Sequence, residues 1–247
     1  MAERIDDIGF SGIRLTQDAE AFCYGIDAVL LADFAASGGH RSYIDLGTNN
    51  GIIPLLLSAM TSADQLCGVE LQPAAAALAE RNVRDNGLAH RISIVCCDVL
   101  DIKEHFGRGS FEAVVANPPY FRKGRGLINA AESKITARHE TTASLDDFVR
   151  CASWLLGDRG AFYMIHRPDR LADIVYSCRQ ADLEPKVMRF VSPRRDRAPN
   201  LLLLECRKYG GPGLKLADPL AVHNEDGTYT GEIQRMYRRD SQKSCDV

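Results

Sequence analysis

Tyr43-Ile-Asp-Leu-Gly-Thr-Asn-Asn-Gly-Ile-Ile-Pro-Leu55 is the stretch on which the fold turns. Tyr43–Leu46 is a short apolar run with one acid and reads as a buried strand. Gly47–Gly51 reads as a tight loop. Ile52–Met60 reads as a helix with Pro54 in its first turn, where a missing N–H costs little. The same unit recurs further along. Gln65-Leu-Cys-Gly-Val-Glu70 is a second strand ending in an acid, and Pro73 opens an alanine-rich helix that runs to the C-cap signal Asn86-Gly87. Ile92–Cys96 is a third strand, ending near Asp98, and Ala113–Ala116 is a fourth. This alternation predicts an α/β fold with a parallel, right-handed, doubly wound sheet. Ligands of such sheets bind at the carboxyl ends of the strands. Asp45, Glu70, Asp98 and Asn117 all lie at or just past strand ends, so they share one edge and form a candidate site.

The fourth strand stops at Asn117-Pro118-Pro119-Tyr120. Proline lacks the N–H that a ladder needs and biases the residue before it towards extended geometry. Asn117 is thereby held at a strand end, with Tyr120 on a stiff turn. The Asn117 side-chain oxygen and the Pro118 carbonyl are two acceptors for one amino group, and Tyr120 adds a ring to stack on. A planar amine is a poor nucleophile because its lone pair is delocalised into the ring. Two acceptors orient it and let it pyramidalise as it attacks, which is positioning and electrostatics with no strong base required. Asn-Pro is also an ordinary turn signal, so the motif takes its meaning from the acids upstream.

The loop Asp45-Leu-Gly-Thr-Asn-Asn-Gly51 has glycines where backbone can approach a ligand closely. Glu70 lies roughly 20 residues beyond the loop, where an acid commonly holds a ribose diol. The spacing fits NAD as well as an adenosine. It does not fit a phosphate cradle, because no Gly-Lys-Ser/Thr follows.

Residues 1–21 read as a short hairpin or extended arm. Asp27 reads as the N-cap of a helix with Val29, Leu30, Leu31 and Phe34 on its apolar face. Beyond Tyr120, a polar loop brings Arg122, Lys123, Arg125, Lys134 and Arg138 beside the site. Ser144 caps a helix Leu145–Leu156, Arg159–Ile165 is a fifth strand, and a helix runs from Pro168 to about Ala181. Lys186–Val191 and Leu201–Cys206 read as strands joined by Ser192-Pro-Arg-Arg-Asp-Arg-Ala-Pro-Asn200. If the first of these two strands runs parallel to the others, Arg194, Arg195 and Arg197 reach the edge that carries the site. In the tail, Gly210-Gly-Pro-Gly213 is a linker turn, Leu220–His223 a short strand with His223 read as a packed or surface residue rather than a ligand or catalytic group, and Thr230–Arg239 a short helix. Residues 240–247 read as a disordered tail with an exposed thiol at Cys245.

The composition is that of an ordinary globular chain: 247 residues, 45% hydrophobic, 26% charged, net charge −3 and pI about 6.1. The acidic total argues only weakly against nucleic acid, since a local basic patch suffices. None of the eight cysteines forms a C-x-x-C pair, which leaves no reason to expect a metal or a disulfide framework. No run reaches transmembrane length, and the charged start Met1-Ala-Glu-Arg-Ile-Asp-Asp7 lacks a leader's apolar core. A soluble, cytoplasmic protein is expected.

Asp45-x-Gly47-x-x-x-Gly51, Glu70, Asp98 and Asn117-Pro-Pro-Tyr120, in that order, resemble the class I S-adenosylmethionine-dependent methyltransferases that modify an amino nitrogen. Gly25-Ile-Asp-Ala-Val-Leu-Leu-Ala32, Gly51-Ile-Ile-Pro-Leu55, Ala137-Arg-His-Glu140 and His223-Asn-Glu-Asp-Gly-Thr-Tyr-Thr230 are similar to the bacterial tRNA1(Val) adenine-37 N6-methyltransferase group. The likeness spans roughly residues 8–238. It implies a Rossmann-like, seven-stranded, mostly parallel sheet with helices on both faces. It also implies an arm and helix over 1–40, a methyltransferase domain over 41–209 and a C-terminal extension over 210–247.

The resemblance further implies S-adenosyl-L-methionine as cofactor and S-adenosyl-L-homocysteine as product. Asp45, Gly47, Thr48, Asn49 and Gly51 then hold the methionine end, Glu70 with Leu71 the ribose, and Asp98 with Val99 the adenine ring. Asp27 helps close the pocket, and Asn117 borders the cofactor. Asn117, Pro118 and Tyr120 handle the target amino group and base. Pro119, Phe121, Arg122, Lys123, Arg125, Arg138, Arg194, Arg195 and Arg197 contact a tRNA substrate. No membrane, metal or protein partner is implied. Asn49 stands where the family usually has a glycine. A protein-glutamine N5-methyltransferase, an rRNA methyltransferase, an inactive cofactor-binding RNA scaffold and an NAD-dependent oxidoreductase are the other readings. The last leaves Asn-Pro-Pro-Tyr unexplained.

Overall fold

The computed structural model describes residues 3–10, 12–18, 25–120 and 143–237. A hairpin of β1 (Glu3–Asp7) and β2 (Arg14–Asp18) comes first, then α1 (Ile26–Ala36). The strand-helix repeat follows as β3 (Ser42–Leu46), α2 (Ile52–Met60), β4 (Gln65–Glu70), α3 (Pro73–Asp85) and β5 (Ile92–Cys96). A 3-10 turn and the short α4 (Ile102–His105) lead to β6 (Phe111–Ala116). Then come α5 (Leu145–Leu155), β7 (Leu156–His166), α6 (Leu171–Gln180), β8 (Leu183–Arg194) and β9 (Leu201–Lys208). The chain closes with β10 (Lys215–Leu216), β11 (Leu220–His223) and α7 (Gly231–Tyr237).

β3 to β11 form one sheet in the order β10-β8-β9-β7-β6-β3-β4-β5, with β11 following β10 along the outer edge of β8. Every strand runs the same way except β9, which is antiparallel to both β7 and β8. The sheet therefore has nine strands, where seven were expected. The difference is β10 and β11, two short strands of the C-terminal extension that cover the otherwise open edge of β8. That extension continues the sheet rather than standing apart from it.

A parallel sheet must bury both faces. Tyr43, Ala113, Val115, Ala161, Tyr163 and Ile165 point to one face, under α1, α2, α3 and α7. Their neighbours Ile44, Leu46, Val114, Ala116, Phe162 and Met164 point to the other, under α5 and α6. This is the period-two alternation of strands, apolar on both sides. α1 is buried nearly all round, because the sheet, α2 and α7 enclose it. Ser144 and Asp147 form a capping box that starts α5, with the Ser144 N–H donating to the Asp147 carboxylate at 2.7 Å.

The hairpin is tied to α3 by two asparagines one helical turn apart. The Asn82 amide accepts from the Thr16 N–H at 2.8 Å and donates to the Thr16 carbonyl at 3.0 Å. Asn86 does the same for Arg14, at 2.9 and 2.7 Å. The i, i+4 spacing on the helix matches the i, i+2 spacing of same-side backbone groups on the strand, so the two amides stand in for a neighbouring strand. Each such bond contributes about 0.5–1.5 kcal/mol net, and a buried backbone group left unpaired costs more. Asn82 also donates to the Asn50 carbonyl at 2.9 Å, which joins the hairpin and α3 to the glycine loop.

Candidate active site

β3 pairs with β4 on one side and β6 on the other, so the chain's winding reverses between β3 and β6. Such a switch point opens a crevice at the strands' carboxyl ends. Leu46 is in register with Ala116, and Gly47 and Asn117 therefore leave the sheet side by side. The glycine loop and the Asn-Pro-Pro-Tyr turn are brought together at this point.

The loop runs through left-handed backbone at Gly47 (φ 81°), Asn49 (φ 50°) and Gly51 (φ 83°). The Gly47 and Thr48 N–H groups both donate to the Val69 carbonyl at 2.9 Å. Glu70 clamps the far side, with one oxygen accepting from the Asn49 N–H and the other from the Gln72 N–H, both at 2.9 Å. The two glycines differ in use. A Cβ at Gly47 would have only the Phe148 ring near it, at 3.8 Å, so that backbone is open to a ligand. A Cβ at Gly51 would meet the Ala79 Cβ at 3.2 Å, so the space there is taken by α3. Gly51 serves the packing of loop on helix rather than passage of a ligand.

Asn49 occupies its left-handed position as the exception that asparagine tolerates best after glycine. Asn49→Gly is expected to keep or improve cofactor affinity, because glycine takes the same φ without a side chain beside the ligand. A clear loss by calorimetry would show that Asn49 makes a contact of its own.

Asp45 is fully buried, and neither carboxylate oxygen has a hydrogen-bond partner among the described residues. The neighbouring Thr48 hydroxyl is buried and unpartnered as well. Buried polar groups are almost always bonded, and exceptions mark sites completed by something else. Burial pushes Asp45 up to about 7, with the facing Thr48 hydroxyl acting against it and the Glu70 charge adding to it. An acid of this kind beside an open loop suits the ammonium end of a methionine-like ligand. The residues present therefore fit S-adenosyl-L-methionine. Further along the edge, Asp98 accepts from the Leu100 N–H at 3.0 Å and caps the turn that carries the buried Val99. The Leu71 carbonyl lies against the Cys96 thiol at 3.9 Å.

The second half of the site centres on Tyr120. Its hydroxyl is within donating distance of Asp27 Oδ2, at 3.0 Å, and of Asn117 Oδ1, at 2.9 Å. A phenol has one hydrogen for these two oxygens. Burial raises Asp27 above the usual carboxylate range, and the bond from the Tyr120 hydroxyl acts against that rise. Asp27 is not the N-cap of α1. Gly25 holds that position without a side-chain bond, and Asp27 lies in the first turn facing Tyr120. Burial drives the Tyr120 hydroxyl strongly upward, so it stays protonated.

His166 packs on the Tyr120 ring with centroids 5.0 Å apart. It is buried, its Nδ1 accepts from the Arg167 N–H at 2.8 Å, and burial lowers it to about 4, leaving it neutral with its proton on Nε2. The sequence reading ended the strand at Ile165 and passed over His166. The rule that picked out Asp45, Glu70 and Asn117, a polar residue at a strand's carboxyl end, would have found it. Asn82 was also missed, because a side chain that bonds backbone 32 and 66 residues away leaves no local pattern.

β8 is parallel to the central strands, since it is antiparallel to β9, and β9 to β7. Its end therefore puts Arg194, Arg195 and Arg197 on the same edge as Asn117. Arg194 pairs with Asp196 at 3.2 Å, while Arg195 and Arg197 are exposed without an ion pair among the described residues. His223 is half-buried and stacks on Tyr229 at 5.1 Å, and Tyr229 stacks on Tyr237 at 5.6 Å. Phe121, Arg122, Lys123, Arg125, Lys134, Arg138 and the Ala137–Glu140 segment lie outside the described residues, as do Cys245 and the tail. Among the described residues, no group of three His, Cys, Asp or Glu side chains could hold a metal ion, and no helix is long and apolar enough to cross a membrane.

A crevice at the switch point, a buried acid and an Asn-Pro-Pro-Tyr turn beside a glycine loop define a class I methyltransferase. Comparison with known proteins agrees. The family model of the methyltransferase small domain matches residues 13–170. The tRNA1(Val) (adenine(37)-N6)-methyltransferase of Actinobacillus succinogenes is 33% identical over 235 residues, 93% of this chain and 94% of the relative. The enzyme of the same name from Porphyromonas gingivalis strain W83 is 29% identical over 240 residues, 94% of this chain and 93% of the relative. The chain belongs to the methyltransferase small-domain family and, within it, to the family of the tRNA1(Val) (adenine(37)-N6)-methyltransferases.

Solved structures agree on the fold. The crystal structure of a predicted O-methyltransferase from Agrobacterium tumefaciens superposes with a TM-score of 0.68 at 22% identity, over 86% of this chain and 96% of the other. Geranyl diphosphate C-methyltransferase from Streptomyces coelicolor, in complex with S-adenosyl-L-homocysteine, gives 0.55 at 14% identity, over 72% and 77%. The protein is an enzyme, and its cofactor is S-adenosyl-L-methionine.

Proposed function

We propose that the protein transfers a methyl group from S-adenosyl-L-methionine to N6 of an adenine in tRNA, and that this base is adenine-37 of tRNA1(Val), as in the relatives' names. The observation that carries the reading is the register of Leu46 with Ala116, which sets Asn117 and its two acceptors beside the open backbone at Gly47. The cofactor supplies an electrophilic methyl group on a sulfonium. Asp45, Thr48, the loop backbone at Gly47 and Asn49, Glu70, Leu71, Asp98 and Val99 hold it. Asn117 Oδ1 has two lone pairs and so can accept from the target amino group with the Tyr120 hydroxyl beside it. The Pro118 carbonyl takes the second amino hydrogen. Tyr120 offers the stacking face for a base turned out of its loop. Such a substrate goes with a cytoplasmic enzyme.

The test is tritium transfer from labelled cofactor to total tRNA that lacks the modification, followed by nucleoside analysis. Label in N6-methyladenosine supports the reading. Transfer to a protein glutamine, or cofactor binding without transfer to any RNA, would overturn it. For the RNA interface, replacing Arg194 and Arg195 together with alanine is expected to weaken tRNA binding. The slope of log affinity against log salt should fall by about 0.7–0.9 for each phosphate that the loop no longer neutralises. Unchanged affinity at low salt would remove this loop from the interface.

A further inference from the structure

Asp27, Tyr120 and Asn117 form a chain of oxygens at 3.0 and 2.9 Å, and the proposed reaction leaves one proton to be removed. We infer that Asp27 receives this proton through the Tyr120 hydroxyl, acting as a positioning and accepting group that never touches the substrate. The inference rests on the reading that an amino nitrogen is methylated. The Tyr120 oxygen lies 2.9 Å from Asn117 Oδ1, so an amino group bonded to that amide oxygen sits beside the Tyr120 hydroxyl, whose own hydrogen is directed at Asp27 Oδ2.

The step balances. The nitrogen lone pair forms the new N–C bond, and the electrons of the broken C–S bond stay on sulfur. The positive charge moves to the nitrogen, whose surplus N–H proton passes to the Tyr120 oxygen as the phenolic proton passes to Asp27 Oδ2. A cation and a carboxylate become a neutral amine and a neutral carboxyl, and Tyr120 ends as it began. Asn117 cannot serve as the acceptor, since an amide oxygen is too weakly basic to keep a proton.

The surroundings support this assignment. Asp27 is half-buried in the first turn of α1, and its side chain has Tyr120 as its bonded partner among the described residues. Burial raises its affinity for a proton, which suits an acceptor. The other groups facing Tyr120 are poor acceptors. His166 packs on the ring, but it is held neutral by burial with its proton on Nε2, and its Nδ1 lone pair is used by the Arg167 N–H. Arg167 places a positive charge nearby that eases loss of the phenolic proton to Asp27.

The experiment is kcat against pH at saturating cofactor and RNA for the whole chain, wild type against Asp27→Asn and Tyr120→Phe. Asparagine still accepts from the Tyr120 hydroxyl, so packing of α1 against the turn is kept. Wild-type kcat should fall on the acidic side, as Asp27 becomes protonated before turnover. D27N should lower kcat about 10- to 100-fold, abolish that acidic limb, and leave the cofactor Kd and the RNA KM within about twofold. Y120F should lose the same limb, and the double variant should be no slower than Y120F alone, because the residues act as one unit. A D27N enzyme with wild-type kcat and profile would overturn the relay. So would a loss confined to cofactor affinity, or a uniform drop with the limb intact. If D27N fails to fold, the Y120F profile decides alone. Absence of transfer by the wild type to RNA would instead overturn the proposed function itself.

Discussion

Asn117→Ala is expected to reduce methyl transfer by about 10²–10³-fold while leaving cofactor affinity within a few-fold. The magnitude is that of removing one preorganised polar group aimed at developing charge. The split between kcat and binding follows from geometry. Asn117 follows β6, whose Ala116 is in register with Leu46, so its side chain meets the target nitrogen beside the loop rather than holding the cofactor from within it. The substitution also leaves the Tyr120 hydroxyl with Asp27 alone, and the ring keeps its packing on His166. Single-turnover transfer to unmodified tRNA, with cofactor titration alongside, measures both quantities. Transfer that survived within tenfold would assign the chemistry to another group.

Asp45→Asn is expected to separate stability from binding. The folded chain holds Asp45 at about 7, above the ordinary value of 3.8. The fold thus favours the neutral acid. Stability of the free protein should fall as pH rises from about 4 to about 7 and then level off, by at most on the order of 4 kcal/mol from this residue. D45N lacks that slope, so the variant should gain on the wild type between pH 5 and 8 in urea melts. Cofactor affinity should change in the opposite sense. An ammonium group is held by the ionised acid, so wild-type affinity should rise with pH up to about 7, and binding at pH 6 should release a proton. D45N should bind roughly 100-fold more weakly and release none, a difference that calorimetry in two buffers detects. Wild-type stability flat across this range, with no proton released on binding, would show that Asp45 is ionised before the cofactor arrives.

Much of the fold was legible because its signals are local. Strands that alternate between two apolar faces, Pro54 and Pro73 in first helical turns and the Asn86-Gly87 stop are written within a few residues of where they act. The edge that carries the site followed from one topological rule. The strand count did not follow: Leu220–His223 reads as a short strand, but nothing local says that it joins the sheet, and the two residues of β10 exist as a strand by pairing with β8. Asp27 was misread for a related reason. An acid at the start of a helix looks like a cap, and only the return of the chain 93 residues later gives it Tyr120 as a partner.

Sequence by itself determined the α/β class, the loop, the order of the acids and the Asn-Pro-Pro-Tyr turn, because each depends on backbone preference and spacing along the chain. Tertiary structure alone decided which groups meet. It buried Asp45 without a partner, packed Gly51 on Ala79 and docked the hairpin on Asn82 and Asn86. It also joined Asp27, Tyr120, Asn117 and His166 from α1, β7 and the turn after β6. Such meetings depend on burial and on distances between residues far apart in the chain, and no periodicity encodes them.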